Sequence, residues 1–221
     1  QKEMGKPVEI EFAVDLNRPV NEPKIFYLLQ IRPIVDNKET INTDLEKVRQ
    51  EDTIIFSHSA LGNGVIGDLC DIVYIKPETF NPAKNQDLAE RIGRINDQFL
   101  KDKKNYILIG PGRWGSQDPW LGVPVKWPQI SAARVIVESG LENYRIDPSQ
   151  GTHFFQNLTS FRVGYFTVNP FMHDGFYDLA YLNGLPAAFE DGQIRHVRMD
   201  SPFLVEIDGK KNLGAVYKQK V

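Results

Sequence analysis

The residues best suited to chemistry in this sequence are carboxylates on one face of a predicted strand near its start. In residues 8–15, VEIEFAVD, apolar and polar positions alternate. Because side chains on a strand alternate between its two faces, Glu9, Glu11 and Asp15 share one face. Three carboxylates gathered on one face indicate a positively charged partner.

A second predicted strand, near residues 25–34, supplies groups that complement these carboxylates. Alternation places Leu28, Gln30 and Arg32 on one face. If the two strands pair, Glu9 and Glu11 lie near Gln30 and Arg32. Carboxylate and amide oxygens are ligands for Mg²⁺, usually beside substrate phosphates, and a guanidinium fork suits a phosphate oxygen. The alternative is a solvent-facing surface with an ordinary salt bridge.

The run EIEFAVD…FYLLQIRP resembles the end of the ATP-grasp nucleotide-binding domain of phosphoenolpyruvate synthase and pyruvate phosphate dikinase. In that family an acidic-Ile-Glu-aromatic strand is followed by a Leu-Gln-x-Arg strand. The resemblance implies that Glu11 binds the magnesium of ATP, that Gln30 assists it, and that Arg32 contacts phosphate. Glu9 stands where the family often has an aspartate, and it is the second acidic metal-ligand candidate.

The same resemblance implies magnesium- and ATP-dependent phosphoryl transfer, with pyruvate and phosphoenolpyruvate as substrates. It covers about the first 35 residues, and the chain opens at Gln1. We therefore expect a fragment whose remaining ATP-grasp domain lies upstream, and which alone binds ATP weakly and is inactive. A non-catalytic nucleotide-sensing or partner-docking regulatory module is the alternative.

A glycine-rich segment follows the apolar run NYILIG. Gly110, Gly112 and Gly115 fit the pattern G-x-G-x-x-G, but three prolines within residues 119–128 interrupt the helix that a dinucleotide site requires. The remaining interpretation is a turn whose N–H groups bind an anion, with Arg113 adding charge. A rigid loop packed by tryptophans is the other interpretation, and the sequence leaves both open.

His153 is the candidate catalytic residue. It follows a glycine at the start of a possible helix in SQGTHFFQNLTSF, where helix N–H groups would stabilise a phosphorylated imidazole. The phosphohistidine pattern of the resembled family is absent, so His153 is either a phosphate carrier or proton shuttle, or a packed structural residue.

If residues 37–221 hold a site of their own, we expect it where the 110–115 turn meets Thr152, His153 and Gln156. In that arrangement the turn supplies free N–H donors and Arg113 a fixed charge for a phosphate or carboxylate ligand. The alternative is that Arg113 pairs with a nearby acid such as Asp118.

The elements that position these residues predict a mixed α+β (α/β) fold. A hairpin domain is predicted over residues 1–36 and a mixed-sheet domain over 37–221. In the second, strands are predicted at TIIFSH, DIVYIKP, NYILIG, ARVIVES and RVGYFTVN, with ALGNGVIGD as a loop between the first two. A helix is predicted in residues 81–104, and a terminal hairpin turns at Asp208-Gly209.

The composition of the chain excludes some classes of binding partner. The chain has 26 basic and 29 acidic residues, which excludes bulk attraction to nucleic acid or anionic lipid. No apolar run is long enough to span a membrane. The single cysteine, Cys70, is typical of a reducing compartment, so we expect a cytoplasmic protein.

Overall fold

The computed structural model describes residues 8–33, 41, 43–116, 118, 120–142, 145–147, 158 and 161–219, with the backbone alone for Val8, Glu9, Arg32 and Pro33. It is a mixed α+β protein with a curled mixed sheet and a small hairpin sheet, which confirms the predicted fold class. Contacts divide the chain into two compact units, Gln1–Lys38 and Glu39–Val221. The sequence places its boundary at residue 36, and the separation into two domains stays a prediction.

The described strands and helices run as follows. The strands are β1 (Val8–Asp15), β2 (Ile25–Pro33), β3 (Thr53–Ser57), β4 (Ser59–Leu61), β5 (Gly64–Ile75), β6 (Tyr106–Pro111), β7 (Arg113–Trp114), β8 (Gly122–Val123), β9 (Ala133–Ser139), β10 (Gly164–Val168), β11 (Phe176–Tyr177), β12 (Ala187–Glu190), β13 (Ile194–Asp208) and β14 (Leu213–Tyr217). The α-helices are α1 (Asn85–Lys101) and α2 (Leu179–Gly184). Short 3-10 helices occupy Leu45–Lys47, Gln50–Asp52, Pro77–Thr79, Pro82–Lys84, Trp127–Gln129 and Pro170–Met172.

The first unit contains the antiparallel hairpin of β1 and β2. Its register is regular from Val8 to Glu11 and then shifts, so that Phe12 pairs with Leu28 and Leu29 is the extra residue of a bulge. Beyond the bulge the rings of Phe12 and Phe26 stack, with centroids 4.9 Å apart. The two strands are those predicted from the alternating pattern.

The second unit is built on one large sheet with the strand order β11-β3-β14-β13-β5-β6-β9-β10-β4. Strands β5, β6, β9 and β10 are mutually parallel in this order, while the flanking pairs are antiparallel. The sheet curls because β4, at one end of the order, returns toward β14: the Ala60 N–H donates to the Asn212 carbonyl at 2.9 Å. The Ser57 hydroxyl also donates to the Thr167 carbonyl at 2.7 Å, linking β3 to β10.

The core lies on both faces of the parallel strands, since side chains of β6 alternate between two apolar clusters. Tyr106 and Leu108 belong to the cluster under α1, and Ile107 and Ile109 to the cluster on the opposite face. Helix α1 buries Leu88, Ala89, Ile92 and Phe99 in the first cluster, as its helical spacing predicts. Continuous apolar runs such as YILI thus become strands buried on both faces.

Most predicted elements of residues 37–221 are confirmed, and one is wrong. The segment ALGNGVIGD is not a loop, because β4 ends at Leu61 and β5 begins at Gly64. The turn is confined to Gly62 and Asn63, with Gly62 at φ +116° and Gly64 at φ +111°. Glycine adopts such angles at little steric cost, so the reversal takes two residues and the remainder pairs with neighbouring strands.

Candidate functional sites

The hairpin brings the first predicted site residues into cross-strand register. Glu11 lies directly opposite Gln30, and Glu9 lies opposite Arg32. Directly opposed residues have Cβ atoms about 5 Å apart, so the Glu11 and Gln30 side chains lie on one face. Both residues are exposed. The predicted geometry for this pair is confirmed.

The bulge in β2 determines which residues share that face. Simple alternation groups Leu28 with Gln30, but the extra residue Leu29 pairs Leu28 with Phe12 instead. The expected grouping is therefore wrong for Leu28, which joins the apolar face of the hairpin. The polar pair Glu11 and Gln30 lies on the regular side of the bulge and keeps its register.

The donor set of this face fits a magnesium ion held jointly with a substrate. Glu11 and Gln30 offer carboxylate and amide oxygens, the hard ligands that Mg²⁺ prefers. Within the described residues, no group of three or more His, Cys, Asp or Glu side chains could hold a metal by itself. Mg²⁺ is commonly bound by one or two carboxylates plus substrate phosphates and water, and two side-chain donors match that pattern.

The backbone N–H groups of the glycine-rich turn after β6 are not free, although the sequence predicts that they are. Its successive N–H groups donate hydrogen bonds within the protein: Gly112 to Ser139 O (3.0 Å), Arg113 to Leu121 O (2.7 Å), Trp114 to Glu138 Oε1 (2.9 Å) and Gly115 to Val123 O (2.8 Å). The expectation of free N–H donors is therefore wrong for this turn. These donors instead fasten the turn to β9 and to the short strand β8. A role of Gly110, Gly112 and Arg113 in binding a cofactor stays a prediction.

Two of the glycines are required by close packing. A Cβ atom on Gly110 would lie 2.3 Å from the Trp114 ring, and one on Gly112 would lie 2.6 Å from the Cα of Gly122. Trp114 is only 2% exposed and its Nε1 donates to the Val137 carbonyl at 3.1 Å. The tryptophan-packed interpretation thus holds for Trp114, whereas Trp120 is 75% exposed.

The Arg113 side chain lacks the partner that the sequence suggests as an alternative. Asp118 does not pair with it, and the Asp118 Oδ1 accepts the Trp120 N–H at 2.9 Å. The Nε of Arg113 is buried without a hydrogen-bond partner, although the residue is partly exposed. Arg113 is thus a partly exposed arginine whose backbone N–H is fixed by a hydrogen bond to Leu121.

Glu138, near the end of β9, anchors a buried polar network beside this turn. The residue is 0% exposed. Besides the Trp114 N–H, its carboxylate accepts the Tyr165 hydroxyl at 2.5 Å, and Tyr165 in turn accepts the Thr167 hydroxyl at 3.3 Å. The network joins β9, β10 and the 110–115 turn. It lies at the carboxyl ends of parallel strands, where open α/β sheets bind their ligands.

A second buried carboxylate, Asp71, belongs to β5 and lies opposite Arg198 of β13. Its Oδ1 is 2.6 Å from His196 Nε2 and accepts the Arg198 Nε–H at 2.7 Å. Burial by itself would raise the pKa of the Asp71 carboxyl, but these hydrogen bonds outweigh it and hold the pKa below its ordinary value. The edge of the His196 ring packs near Phe99. This cluster braces the sheet under the end of α1.

Sequence reasoning missed Glu138, Tyr165 and Asp71. A usable signal was present for Glu138: one acidic residue interrupts the β-branched run ARVIVES, which is predicted to be a strand. A buried charge needs partners, so such an interruption marks a polar site. Tyr165 and Asp71 had no comparable signal, because their partners come from distant strands.

His153, together with Thr152 and Gln156, lies outside the described residues. The site predicted where this segment meets the 110–115 turn therefore stays a prediction. Leu158 is described, and it is buried in the same apolar cluster as Trp114.

No family model, no curated protein and no solved structure matches the chain. In the part of the chain that the structure describes, every helix is too short or too polar to cross a membrane.

Proposed function

We propose that this chain is the C-terminal part of a phosphoenolpyruvate synthase-like phosphotransferase that uses magnesium and ATP. In this proposal residues 8–33 form the last hairpin of an ATP-grasp domain, and pyruvate and phosphoenolpyruvate are the substrates. The observation that carries the proposal is the register of the hairpin, which sets Glu11 opposite Gln30 and Glu9 opposite Arg32. That register brings together the residue types that the resembled family uses.

Each residue has a specific role in this proposal. The carboxylate of Glu11 and the amide oxygen of Gln30 hold the metal, Glu9 adds a second acidic ligand, and Arg32 binds a phosphate oxygen. The magnesium ion, when bound, neutralises the charge that develops on the transferring phosphoryl group. Phosphoryl transfer depends mainly on positioning and electrostatic stabilisation, and the strand register positions these groups opposite one another.

The hairpin alone does not make a complete nucleotide site. A two-stranded sheet is marginally stable in water, and Phe12, Phe26 and Leu28 are about half exposed. We infer that upstream polypeptide of the parent protein covers this apolar face and supplies the other ATP contacts. The fragment alone is then inactive. The unpaired Cys70 supports a cytoplasmic location for the parent.

ATP binding by the parent protein tests the metal assignment. Glu11→Gln removes one negative charge at nearly constant shape, and it should weaken Mg²⁺-dependent ATP binding measured by calorimetry. Glu22→Gln, an equal change of charge in the exposed loop between β1 and β2, should leave the affinity unchanged. Equal affinities for both variants would remove the magnesium role of Glu11 and would favour the regulatory-module interpretation.

A further inference from the structure

Arg113 is a partly buried arginine whose charge has no partner among the described residues. Two other partly buried arginines pair with carboxylates, Arg91 with Asp191 and Arg195 with Glu190, and Arg134 donates to the Phe161 carbonyl. Arg113 forms no salt bridge within the described residues, and its Nε, like that of Arg195, is buried and unsatisfied. Leaving a buried donor unsatisfied costs about 1–3 kcal/mol, and such groups in native structures call for an explanation.

The position of Arg113 supplies that explanation. It is the first residue of β7, one residue beyond the end of β6, and its neighbour Gly112 donates to the carbonyl of Ser139 at the end of β9. The carboxyl ends of adjacent parallel strands are the usual ligand-binding edge of an α/β sheet. Since four consecutive N–H groups fasten this turn, the guanidinium starts from a fixed backbone rather than a mobile loop.

The surroundings of Arg113 also offer apolar surface to a ligand. The carbonyl of Leu121 accepts the Arg113 N–H, and the neighbouring Trp120 lies in the turn that precedes β8. Trp120 is largely exposed, so a cation and an indole are presented on adjoining backbone segments. Such a combination suits a small organic molecule that carries an acidic group.

We propose that Arg113 is the anchor of an oxyanion-binding site in residues 39–221, which takes the phosphate or carboxylate group of a small molecule. The guanidinium presents parallel N–H donors that match the paired oxygens of either group. The bound oxyanion supplies the counter-charge that Arg113 lacks among the described residues. None of the residues of this site lies in the hairpin. The result of its test is therefore independent of the proposed ATP function.

Anion titration of the full chain, monitored by NMR at the Arg113 Nε–H resonance, tests the site. We expect a saturable shift with inorganic phosphate, with acetate, or with both. Saturation by phosphate alone assigns a phosphorylated ligand, and saturation by acetate alone assigns a carboxylate. No saturable shift with either anion would overturn the proposal.

Two variants, each of which removes one positive charge, provide the test and its control. Arg113→Gln should weaken binding of the effective anion about tenfold or more, detected through tryptophan fluorescence or backbone amide shifts. Arg94→Gln, on the exposed face of α1, should bind as the unaltered chain does. Equal binding by both variants would overturn the proposal. If Arg113→Gln does not fold, Arg113→Lys keeps the charge and loses the fork, and unaltered binding in that variant would count equally against the site.

Discussion

Asp71 illustrates, at the scale of single residues, how a buried carboxylate can serve structure rather than chemistry. It receives hydrogen bonds from His196 and Arg198 while being only 2% exposed. The three groups come from two paired strands, so the cluster connects β5 to β13. No residue type in its sequence neighbourhood distinguishes it from a surface aspartate.

Replacing Asp71 should destabilise the fold in a pH-dependent way. Asp71→Asn removes the charge that satisfies His196 and Arg198, and we expect a loss of about 1–3 kcal/mol in the free energy of unfolding near pH 7. Because the folded pKa of Asp71 is lowered, its stabilisation is present above the unfolded pKa, near 3.8. It is lost as pH falls through the folded value.

Urea unfolding at about pH 7 and about pH 3 measures this effect. The difference in the free energy of unfolding between the unaltered chain and Asp71→Asn should be smaller at the lower pH. Asp68→Asn, an exposed aspartate of the same strand, is the control and should change stability little at either pH. A difference that stays constant over this range would show that the Asp71 charge is not the stabilising feature.

Residue types and alternation were sufficient to pair Glu11 with Gln30, because both strands are regular at that point. Alternation failed for Leu28, since the bulge at Leu29 leaves no mark in the sequence. It also could not show that Arg113 lacks a counter-charge, because that depends on which distant carboxylates the fold brings near. Local pattern thus predicts a strand face, while the pairing of charges is decided by tertiary structure.

At the scale of elements, the segment from β6 to β8 shows why a glycine motif does not define a nucleotide site. The pattern G-x-G-x-x-G begins near the end of a parallel strand, as in dinucleotide-binding folds, but it contains the short strand β7, and the next described element is strand β8 rather than a helix. The prolines in residues 119–128 predict that no helix begins there, and the absence of a dinucleotide site stays a prediction. The roles of the glycines could not be predicted from the sequence, because they depend on packing. Gly110 leaves room for the Trp114 ring, and Gly112 leaves room for the backbone of Gly122.

Gly110→Ala should therefore disturb the core directly. The added methyl group would lie 2.3 Å from the Trp114 ring, so the indole must move and its bond to the Val137 carbonyl weakens. Overpacking of this kind costs about 1–3 kcal/mol, measured as a lower midpoint of urea unfolding followed by tryptophan fluorescence.

Gly67→Ala is the matched control for this substitution. Gly67 lies in strand β5, and a Cβ there has no atom within 4 Å. We expect its stability to stay level or rise slightly, because alanine loses less chain entropy on folding. If the two variants unfold at the same midpoint, the packing role of Gly110 is wrong.

At the scale of the whole molecule, the sequence predicted the class of fold and the order of its main elements. Periodicity located α1 and the apolar strands because burial on one or both faces leaves a clear repeat. The order of strands in the sheet and its curl were not predictable from the sequence. They follow from long-range pairings, such as β4 with β10, that no local signal encodes.

The separate hairpin unit gives the molecule its proposed function. All three apolar clusters draw their members from residues 45–217, so the hairpin's residues are absent from them. A strand pair outside these cores, bearing Glu11 and Gln30 in register, suits an element that completes a site with other polypeptide. We therefore propose that the ATP-dependent activity belongs to the parent protein rather than to either unit alone.

Formation of phosphoenolpyruvate from pyruvate by the parent protein is the decisive measurement for the proposed phosphotransferase activity. With Mg²⁺ and ATP present, we expect phosphoenolpyruvate to accumulate, and we expect Glu11→Ala to abolish this turnover while the thermal unfolding midpoint is unchanged. The midpoint should hold because Glu11 is exposed and makes no part of the apolar clusters. Normal turnover in Glu11→Ala, or no phosphoenolpyruvate from the unaltered parent, would contradict the account.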